Sequence, residues 1–293
     1  MKLENRLPDE GINASHENPL KEFAWLIVGG VVVIVALAAL IGWGAGWIAP
    51  RIPYRYEARL VADLDLAKPS GNEAARAAQA ELQALADRLI KHMTLPEGMA
   101  VRVGYRDDKT VNAFATVGGQ TVFFRGLLGK LDNENALAMV LAHEIAHLKY
   151  RHPAQALGRG IGVGIVLSVV SAELGQSAAG TVLSQAGVTT LLAFNREQER
   201  EADEEALRVI AAEYGHVGGA LDLFGVFLKL PAPSRDPAVP AIEFMRTHPL
   251  TASRVAAVRA WATARGVTLD GPRRPLAPAL GAVRDTGPQS ESR

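Results

Sequence analysis

An apolar stretch near the middle of the chain contains the residues whose types and spacing are best suited to chemistry. It has the pattern His-Glu-x-x-His, in which His143, Glu144 and His147 are the polar positions. Residues four positions apart lie on one face of an α-helix, so His143 and His147 can direct their imidazoles to one point. Zn²⁺ binds His nitrogens at roughly 2.0–2.1 Å. Glu144 is placed to accept a proton from water whose pKa such a metal lowers to about 7. We therefore predict one Zn²⁺ per chain.

The residues around this motif favour a buried helix. Asp132 is a suitable N-cap, residues 133–150 contain neither Gly nor Pro, and Pro153 is expected to end the helix. His152 lies beyond the ligand spacing at the C-terminal end of the helix, and we expect it to belong to a positively charged last turn that favours the helix dipole. The flanking residues are apolar nearly all round, namely Ala136, Leu137, Met139, Val140, Leu141, Ile145 and Leu148. Because unpaired polar groups are costly in such a helix, a metal ion is a suitable partner for them.

Composition restricts the class of protein and of site. The chain has 293 residues, enough for one large or two small domains, and 48% of them are hydrophobic. Its formal net charge of +0 argues against a nucleic-acid partner, which requires a basic face. There is no Cys, so a zinc site must be built from His and carboxylate ligands.

The N-terminal region predicts a membrane anchor. Residues 1–22 form a polar tail, whereas residues 23–49 contain no charged residue. About 20 apolar residues span a bilayer, and Trp25, Trp43 and Trp47 lie near the two ends, as interfacial aromatic residues do. The alternative is a signal peptide, but its apolar core is only 7–15 residues long. Basic residues occur on both sides of the span, so they do not decide its orientation.

Three short extended runs precede the motif and predict a small antiparallel sheet beside the metal helix. They span residues 100–105, 110–116 and 120–124, with turns at 107–109 and 118–119. The second run contains Asn112, Ala113, Phe114 and Ala115. A sheet edge beside a metal site can bind an extended peptide by main-chain hydrogen bonds. A purely structural strand is the alternative for this run.

A later helical segment supplies candidates for a third ligand. Glu199 and Asp203 are four positions apart and share a face with apolar residues. Catalytic zinc takes three protein ligands and keeps one open position, so Glu199 would complete a set of two His and one Glu. Asp203 would accept the free N–H of a ligating imidazole. The alternative is a solvated acidic face.

Between these two segments, residues 161–194 are apolar and rich in Gly and Ala. If His147 and Glu199 bind one ion, they lie on the same side of the membrane, so this segment crosses it twice or not at all. We expect no crossing and predict a helical hairpin that packs beside the cleft or dips into the membrane surface. An exposed apolar patch there would help docking on lipid or on unfolded protein.

The combined motifs resemble the zinc metallopeptidases of the CAAX-prenyl-protease and HtpX type, especially their bacterial periplasmic, BepA-like members. The similarity covers residues 73–264 and includes Arg125-Gly126-Leu127-Leu128 and Thr247-His248-Pro249-Leu250. The resemblance implies a mainly α gluzincin-type domain with a small sheet. It also implies zinc held by His143, His147 and Glu199, with Glu144 as general base. Prenyl-protease and HtpX-type members have several membrane spans, whereas this chain has one predicted span, which favours the periplasmic type.

Two further residues are candidates for contact with the reacting carbonyl. Amide hydrolysis needs a donor for the developing oxyanion, and His248 or Arg254 could serve if the fold brings them to the cleft. His248 could instead occupy the open metal position and hold the enzyme inactive. A plain helix-start role is the alternative.

These observations predict a zinc endopeptidase anchored in the inner membrane by a single pass and acting in protein quality control of the envelope. We expect the peptidase domain at residues 73–265 on the extracytoplasmic side, after a connector at 50–72 and before a disordered tail at 266–293. The expected partners are a protein or peptide substrate and the lipid bilayer. The oligomeric state is left open. The alternative function is a non-catalytic, chaperone-like binder of unfolded or membrane proteins with a structural metal.

Overall fold

The computed structural model describes residues 18–60, 65–69, 71–160, 194–230, 244–248 and 252–284. Helices dominate this part of the chain, and they surround a three-stranded sheet. The helices are α1 (Pro19–Ile48), α2 (Tyr54–Leu60), α3 (Glu73–Ile90), α4 (Arg125–Leu128), α5 (Glu134–Lys149), α6 (residues 152–160), α7 (Arg196–Tyr214), α8 (Gly218–Lys229), α9 (Phe244–Thr247), α10 (Ala252–Arg265) and α11 (Pro278–Arg284). The strands are β1 (Arg102–Arg106), β2 (Ala113–Thr116) and β3 (Gln120–Phe124).

Helix α1 covers residues 23–48 of the predicted anchor and begins four residues before it. Asn18 is the N-cap, with its side chain accepting a hydrogen bond from the Leu20 N–H, and Pro19 occupies the first helical position. Within the described residues, the helical stretch Pro19–Arg51 is long and apolar enough to cross a membrane, and its most apolar 18-residue window has a mean hydropathy of 2.9. Its apolar side chains are almost all exposed, as a lipid-facing helix requires.

The sheet is mixed, so the prediction of an antiparallel sheet is wrong for one of its two pairs. The strand order is β1-β3-β2, with β2 antiparallel to β3 and β1 parallel to β3. The predicted turn at Gly118 and Gly119 joins β2 to β3, and both glycines have a positive φ, which Gly adopts readily. The predicted turn at 107–109 does not form a hairpin, since β1 pairs with β3 and not with β2. A turn signal in the sequence does not show which strand becomes the partner.

Helix α5 is the centre of the domain. It packs against α3, α7, α8 and β2, and its residues from Asn135 to Leu148 are all buried. The side chain of Asn133, rather than the predicted Asp132, caps it by accepting from the Ala136 N–H at 2.8 Å. The helix ends at Lys149, and Pro153 lies in the first turn of α6 instead of ending α5.

Helix α3 packs on α5 with one apolar face. Leu82, Leu85, Ala86 and Leu89 are buried there. The N-cap is Asn72, whose side chain accepts from the Ala75 N–H at 2.9 Å.

The prediction of a disordered tail from residue 266 is wrong as far as residue 284. Thr268 forms a β-bridge with His216, Arg273 pairs with Asp222, and α11 packs on α3 and α4. Pro-rich composition is compatible with an extended packed chain as well as with disorder. The apolar side chains of this segment are buried against the domain, and this burial favours the packed form. Residues 285–293 lie outside the described part.

Candidate metal centre

Three separate parts of the chain supply the site. Helix α5 carries His143, Glu144 and His147, the first turn of α7 carries Glu199, and His248 follows α9. Helix α7 begins with a capping box, in which the Asn195 side chain accepts from the Gln198 N–H and the Gln198 side chain accepts from the Asn195 N–H. This cap sets the helix start and therefore the direction of the Glu199 side chain. All five site residues are buried.

The side chains of His143, His147, Glu199 and His248 converge on one position. One ligand atom from each lies within 4.8 Å of every other. The Nε2 atoms of His143 and His147 are 3.0 Å apart, and the Glu199 Oε1 atom is 3.4 Å from His147 Nε2 and 2.8 Å from His248 Nδ1. The predicted set of two His and one Glu is therefore assembled in the structure, with His248 as a fourth member.

The geometry of this cluster fits zinc. Ligands held about 2.1 Å from a tetrahedral ion lie roughly 3.4 Å from one another, which is close to the separations in the cluster. Two imidazole nitrogens face each other at 3.0 Å in a buried site, and a cation between them removes the repulsion of their lone pairs. The donor set of imidazole nitrogen and carboxylate oxygen is also the set expected for a site without Cys.

The charges around the cluster suit a divalent cation. Burial alone would lower the pKa of His143, but hydrogen bonds and charges of Asp203 and Glu199 outweigh it and raise the pKa to about 10. Burial would raise the pKa of Glu199, yet the neighbouring His248 and His143 hold that pKa far below its usual value. Both carboxylates therefore remain negative in a buried site, where a positive partner is needed.

Glu144 lies beside the ligands without being one of them. Its side chain is fully buried, and its Oε1 atom is 3.5 Å from His248 Nε2. The backbone N–H of Ala115 in β2 lies near this carboxylate and favours its ionised form. Burial raises the pKa of Glu144, although the charges of His248 and His143 oppose this shift. A carboxylate of raised pKa is a suitable proton acceptor near neutral pH.

Asp203 and Arg254 support the ligands from behind. The Asp203 Oδ1 atom is 3.0 Å from Nδ1 of His143, as predicted for an acceptor that orients a ligating imidazole. Arg254 donates to Asp203 from Nε at 2.7 Å and from Nη2 at 2.8 Å. Its Nη1 atom is 2.8 Å from Oε2 of Glu199. Arg254 is therefore directed at the two carboxylates rather than at the space in front of Glu144.

His152 is a site residue that sequence reasoning missed. Its Nδ1 atom is 2.8 Å from Nδ1 of His147, and its Nε2 atom is 3.2 Å from Glu201. Burial lowers the pKa of His152 to about 4, so the ring is neutral near pH 7. Helical spacing places residue 152 away from the ligand face, and only the chain reversal after α5 brings it back.

Strand β2 places its edge next to Glu144. Ala113 and Ala115 are buried, Phe114 is half-buried, and the carbonyl oxygen of Asn112 accepts from the Phe124 N–H at 3.1 Å. Strand β2 lies at one end of the described sheet and packs on α5, and the Ala115 backbone lies near the Glu144 carboxylate, so the side of β2 opposite β3 is next to the site. The four residues predicted to bind substrate therefore lie close to Glu144 in the structure. The predicted hairpin at residues 161–194 lies outside the described residues, except for Phe194, which stacks on the ring of His147.

Comparisons with known proteins match the same part of the chain. The model of Peptidase family M48 matches residues 76–262. The beta-barrel assembly-enhancing protease of Escherichia coli (strain K12) is 34% identical over 160 residues, which cover 51% of this chain and 32% of that protein. Its counterpart in Yersinia pestis is 33% identical over 159 residues, with the same coverage. The mitochondrial metalloendopeptidase OMA1 of Schizosaccharomyces pombe is 31% identical over 156 residues, covering 53% of this chain and 44% of that protein. The matched region thus spans less than half of the length of these curated relatives.

Proposed function

This chain belongs to Peptidase family M48, and we propose that it is a zinc-dependent endopeptidase held at a membrane by its N-terminal helix. The observation that carries the proposal is the buried cluster of His143, His147 and Glu199 with Glu144 beside it. A structural metal site has no need of an acidic residue next to its ligands, whereas hydrolysis needs a proton acceptor there.

Each residue of the site has a role in this proposal. His143, His147 and Glu199 would hold the zinc ion, and Asp203 orients the His143 ring. A bound zinc ion lowers the pKa of water and polarises the substrate carbonyl. Glu144 accepts the proton of the attacking water and passes it to the leaving amine. Arg254 keeps Asp203 and Glu199 in place, so we assign it a positioning role instead of the direct oxyanion contact that the sequence suggested.

The substrate class follows from the position of β2. Among the described strands, none pairs with the edge of β2 opposite β3. An extended peptide that pairs with that edge would lie with its main chain beside Glu144, and its carbonyl group would face the ligand cluster. Residues 112–115 would then bind main-chain atoms. Such binding selects for extended, unfolded segments more than for a particular side chain, which suits a peptidase that removes misfolded proteins of the envelope.

Replacement of Glu144 tests the chemistry. We expect Glu144→Gln to retain bound zinc and to lower kcat for an unfolded casein-type substrate by about 10²–10⁴-fold, because the proton acceptor is lost. Zinc content by elemental analysis and peptide release are the two measurements. Glu197→Gln, which removes an exposed glutamate from α7, is the matched control and should cleave at the parental rate.

The same variant separates the two candidate functions. A chaperone-like binder with a structural metal would retain full biological activity as Glu144→Gln. Parental cleavage by Glu144→Gln would show that the proposed mechanism is wrong. Loss of cleavage with normal zinc content supports the peptidase.

The membrane location is a separate proposal. It rests on the length and apolar character of α1, and on relatives that are named for beta-barrel assembly and for mitochondria. We propose a single pass of the inner membrane, with the peptidase domain on the extracytoplasmic side. A reporter active only outside the cytoplasm, fused after Arg293, should be active, whereas a reporter that requires the cytoplasm should be inactive there. The opposite pair of results would place the domain inside.

A further inference from the structure

A sharp turn joins the metal-binding helix α5 to α6. Arg151 has a φ of 61°, in the left-handed region that residues other than Gly seldom adopt. His152 follows it and begins α6. This reversal returns His152 to the end of α5, and the side chains of both residues are buried.

His152 contacts the side of the His147 ring that faces away from the ligand cluster. His147 directs its Nε2 atom to the cluster, so its Nδ1 atom carries the hydrogen and donates it to Nδ1 of His152 at 2.8 Å. His152 then carries its own hydrogen on Nε2 and donates it to Glu201 at 3.2 Å. Hydrogen bonds of this kind hold the tautomer and the orientation of a ligating imidazole.

Arg151 connects this turn to the juxtamembrane helix α2. The Oε2 atom of Glu57 accepts from Nε of Arg151 at 2.9 Å and also from its Nη2. The Oε1 atom of Glu57 accepts from the Gly118 N–H at 2.8 Å, and the Tyr54 hydroxyl donates to the Gly118 carbonyl at 2.9 Å. Since a buried charge without a partner is costly, the pair holds α2 against both the turn and the β2–β3 hairpin.

The end of α1 packs on α6 as well. A Cβ atom at Gly158 would lie 2.8 Å from the carbonyl oxygen of Ala45, and one at Gly46 would lie 3.1 Å from the Arg159 side chain. The two helices therefore approach closely enough that only Gly fits at position 158. The anchor helix, the juxtamembrane helix and the metal-binding helix all meet at residues 151–160.

We propose that His152 is a positioning residue for the metal ligand His147, and that Glu57 holds the turn that carries His152. The proposal rests on the metallopeptidase function proposed above. It makes metal affinity depend on a residue of the juxtamembrane helix, which lies outside the region that the family model matches. Residues 50–60 are then part of the working site and not a passive connector.

Two substitutions of His152 test whether this residue positions His147. The full-length protein in detergent is titrated with Zn²⁺ against a chelator, without substrate, so that the result is independent of the Glu144→Gln test. His152→Leu removes the acceptor for the His147 N–H, and we expect the zinc Kd to rise about 10–100-fold. His152→Asn places an amide oxygen close to the former Nδ1 position, and we expect it to recover most of that loss.

Equal zinc affinity of His152→Leu and the parent would overturn the proposal, and so would an asparagine variant as weak as the leucine variant. If the leucine variant does not fold, Glu201→Ala tests the same series of hydrogen bonds from a partly exposed position. Weaker zinc binding by Glu201→Ala supports the positioning role, and parental binding contradicts it.

A substitution of Glu57 tests whether helix α2 holds the turn that carries His152. Glu57→Gln keeps the size of the side chain but removes its charge, and we expect the zinc Kd to rise about 3–10-fold, less than at His152 because the effect acts through one more residue. Glu81→Gln, which removes an exposed glutamate from α3, is the control and should leave the Kd unchanged. A parental Kd for Glu57→Gln would show that α2 does not position the site.

Discussion

His248 lies beside the three predicted ligands, where a fourth protein ligand would close the metal site to water. Its Nδ1 atom is 2.8 Å from Oε1 of Glu199 and 3.2 Å from Nε2 of His143, the same spacing that separates the other ligand atoms. The ring is buried and stacks on Phe244. A catalytic zinc site keeps one position open, whereas four protein ligands close it. We therefore infer that His248 blocks the metal in this arrangement and does not serve as an oxyanion donor.

Removal of His248 should raise peptidase activity if His248 blocks the metal and lower it if His248 is an oxyanion donor. We expect His248→Ala to raise kcat/KM for a short unfolded peptide about 3–10-fold, because the blocked fraction of the molecules becomes competent. Zinc content should remain at the parental level, since three ligands are left. If His248 were an oxyanion donor, the same substitution would lower kcat by about 10²–10³-fold. Steady-state kinetics on the two proteins distinguishes these outcomes.

At the scale of elements, the C-terminal segment stabilises the beginning of the metal-binding helix α5. Leu280 and Val283 of α11 are buried against α3 and α4, and Arg284 pairs with Asp132 just before α5. The segment before α11 reaches the start of α5 through its main chain, where the Glu134 N–H donates to the Arg274 carbonyl at 2.8 Å. Helix α5 is thus supported at its N-terminal end by residues that follow it by more than a hundred positions.

Truncation of one side chain in α11 should therefore destabilise the whole domain. We expect Leu280→Ala to lower the free energy of unfolding by about 2–4 kcal/mol, because it removes buried methyl groups and leaves a cavity. Denaturant unfolding in detergent measures this change. Ala282→Ser, at an exposed position of the same helix, should change it by less than about 0.5 kcal/mol. Equal stability of the leucine variant and the parent would mean that α11 does not belong to the cooperative unit.

At the scale of the whole molecule, the metal site connects segments that are distant in the chain. Its members come from α5, from α7 and from the residue after α9. The carboxylates of Asp203 and Glu199, which pair with Arg254 and lie beside His143, are also buried. An ion that binds only the folded arrangement stabilises it by mass action, so metal content should determine how stable the domain is.

Removal of zinc should accordingly lower the melting temperature. At a zinc concentration about 1,000 times the Kd, binding adds about 4 kcal/mol, which corresponds to a shift of roughly 10 °C for a domain of this size. We expect a strong chelator to lower the Tm by that amount and excess Zn²⁺ to restore it. His143→Ala lacks a ligand, so its Tm should respond little to the chelator. An equally large response of this variant would place the stabilising ion elsewhere.

The sequence by itself determined the features that depend on neighbours along the chain. Two histidines four positions apart share a helix face whatever surrounds them, and so do Glu199 and Asp203. The apolar length of α1 and the buried face of α3 are equally local properties. The tertiary structure alone decided which surfaces meet. It made β1 parallel to β3, brought His152 back to His147 through the left-handed turn at Arg151, and packed α11 onto α3. These outcomes depend on contacts between residues far apart in the chain, and no local period or composition records which distant surface will bury a given side chain.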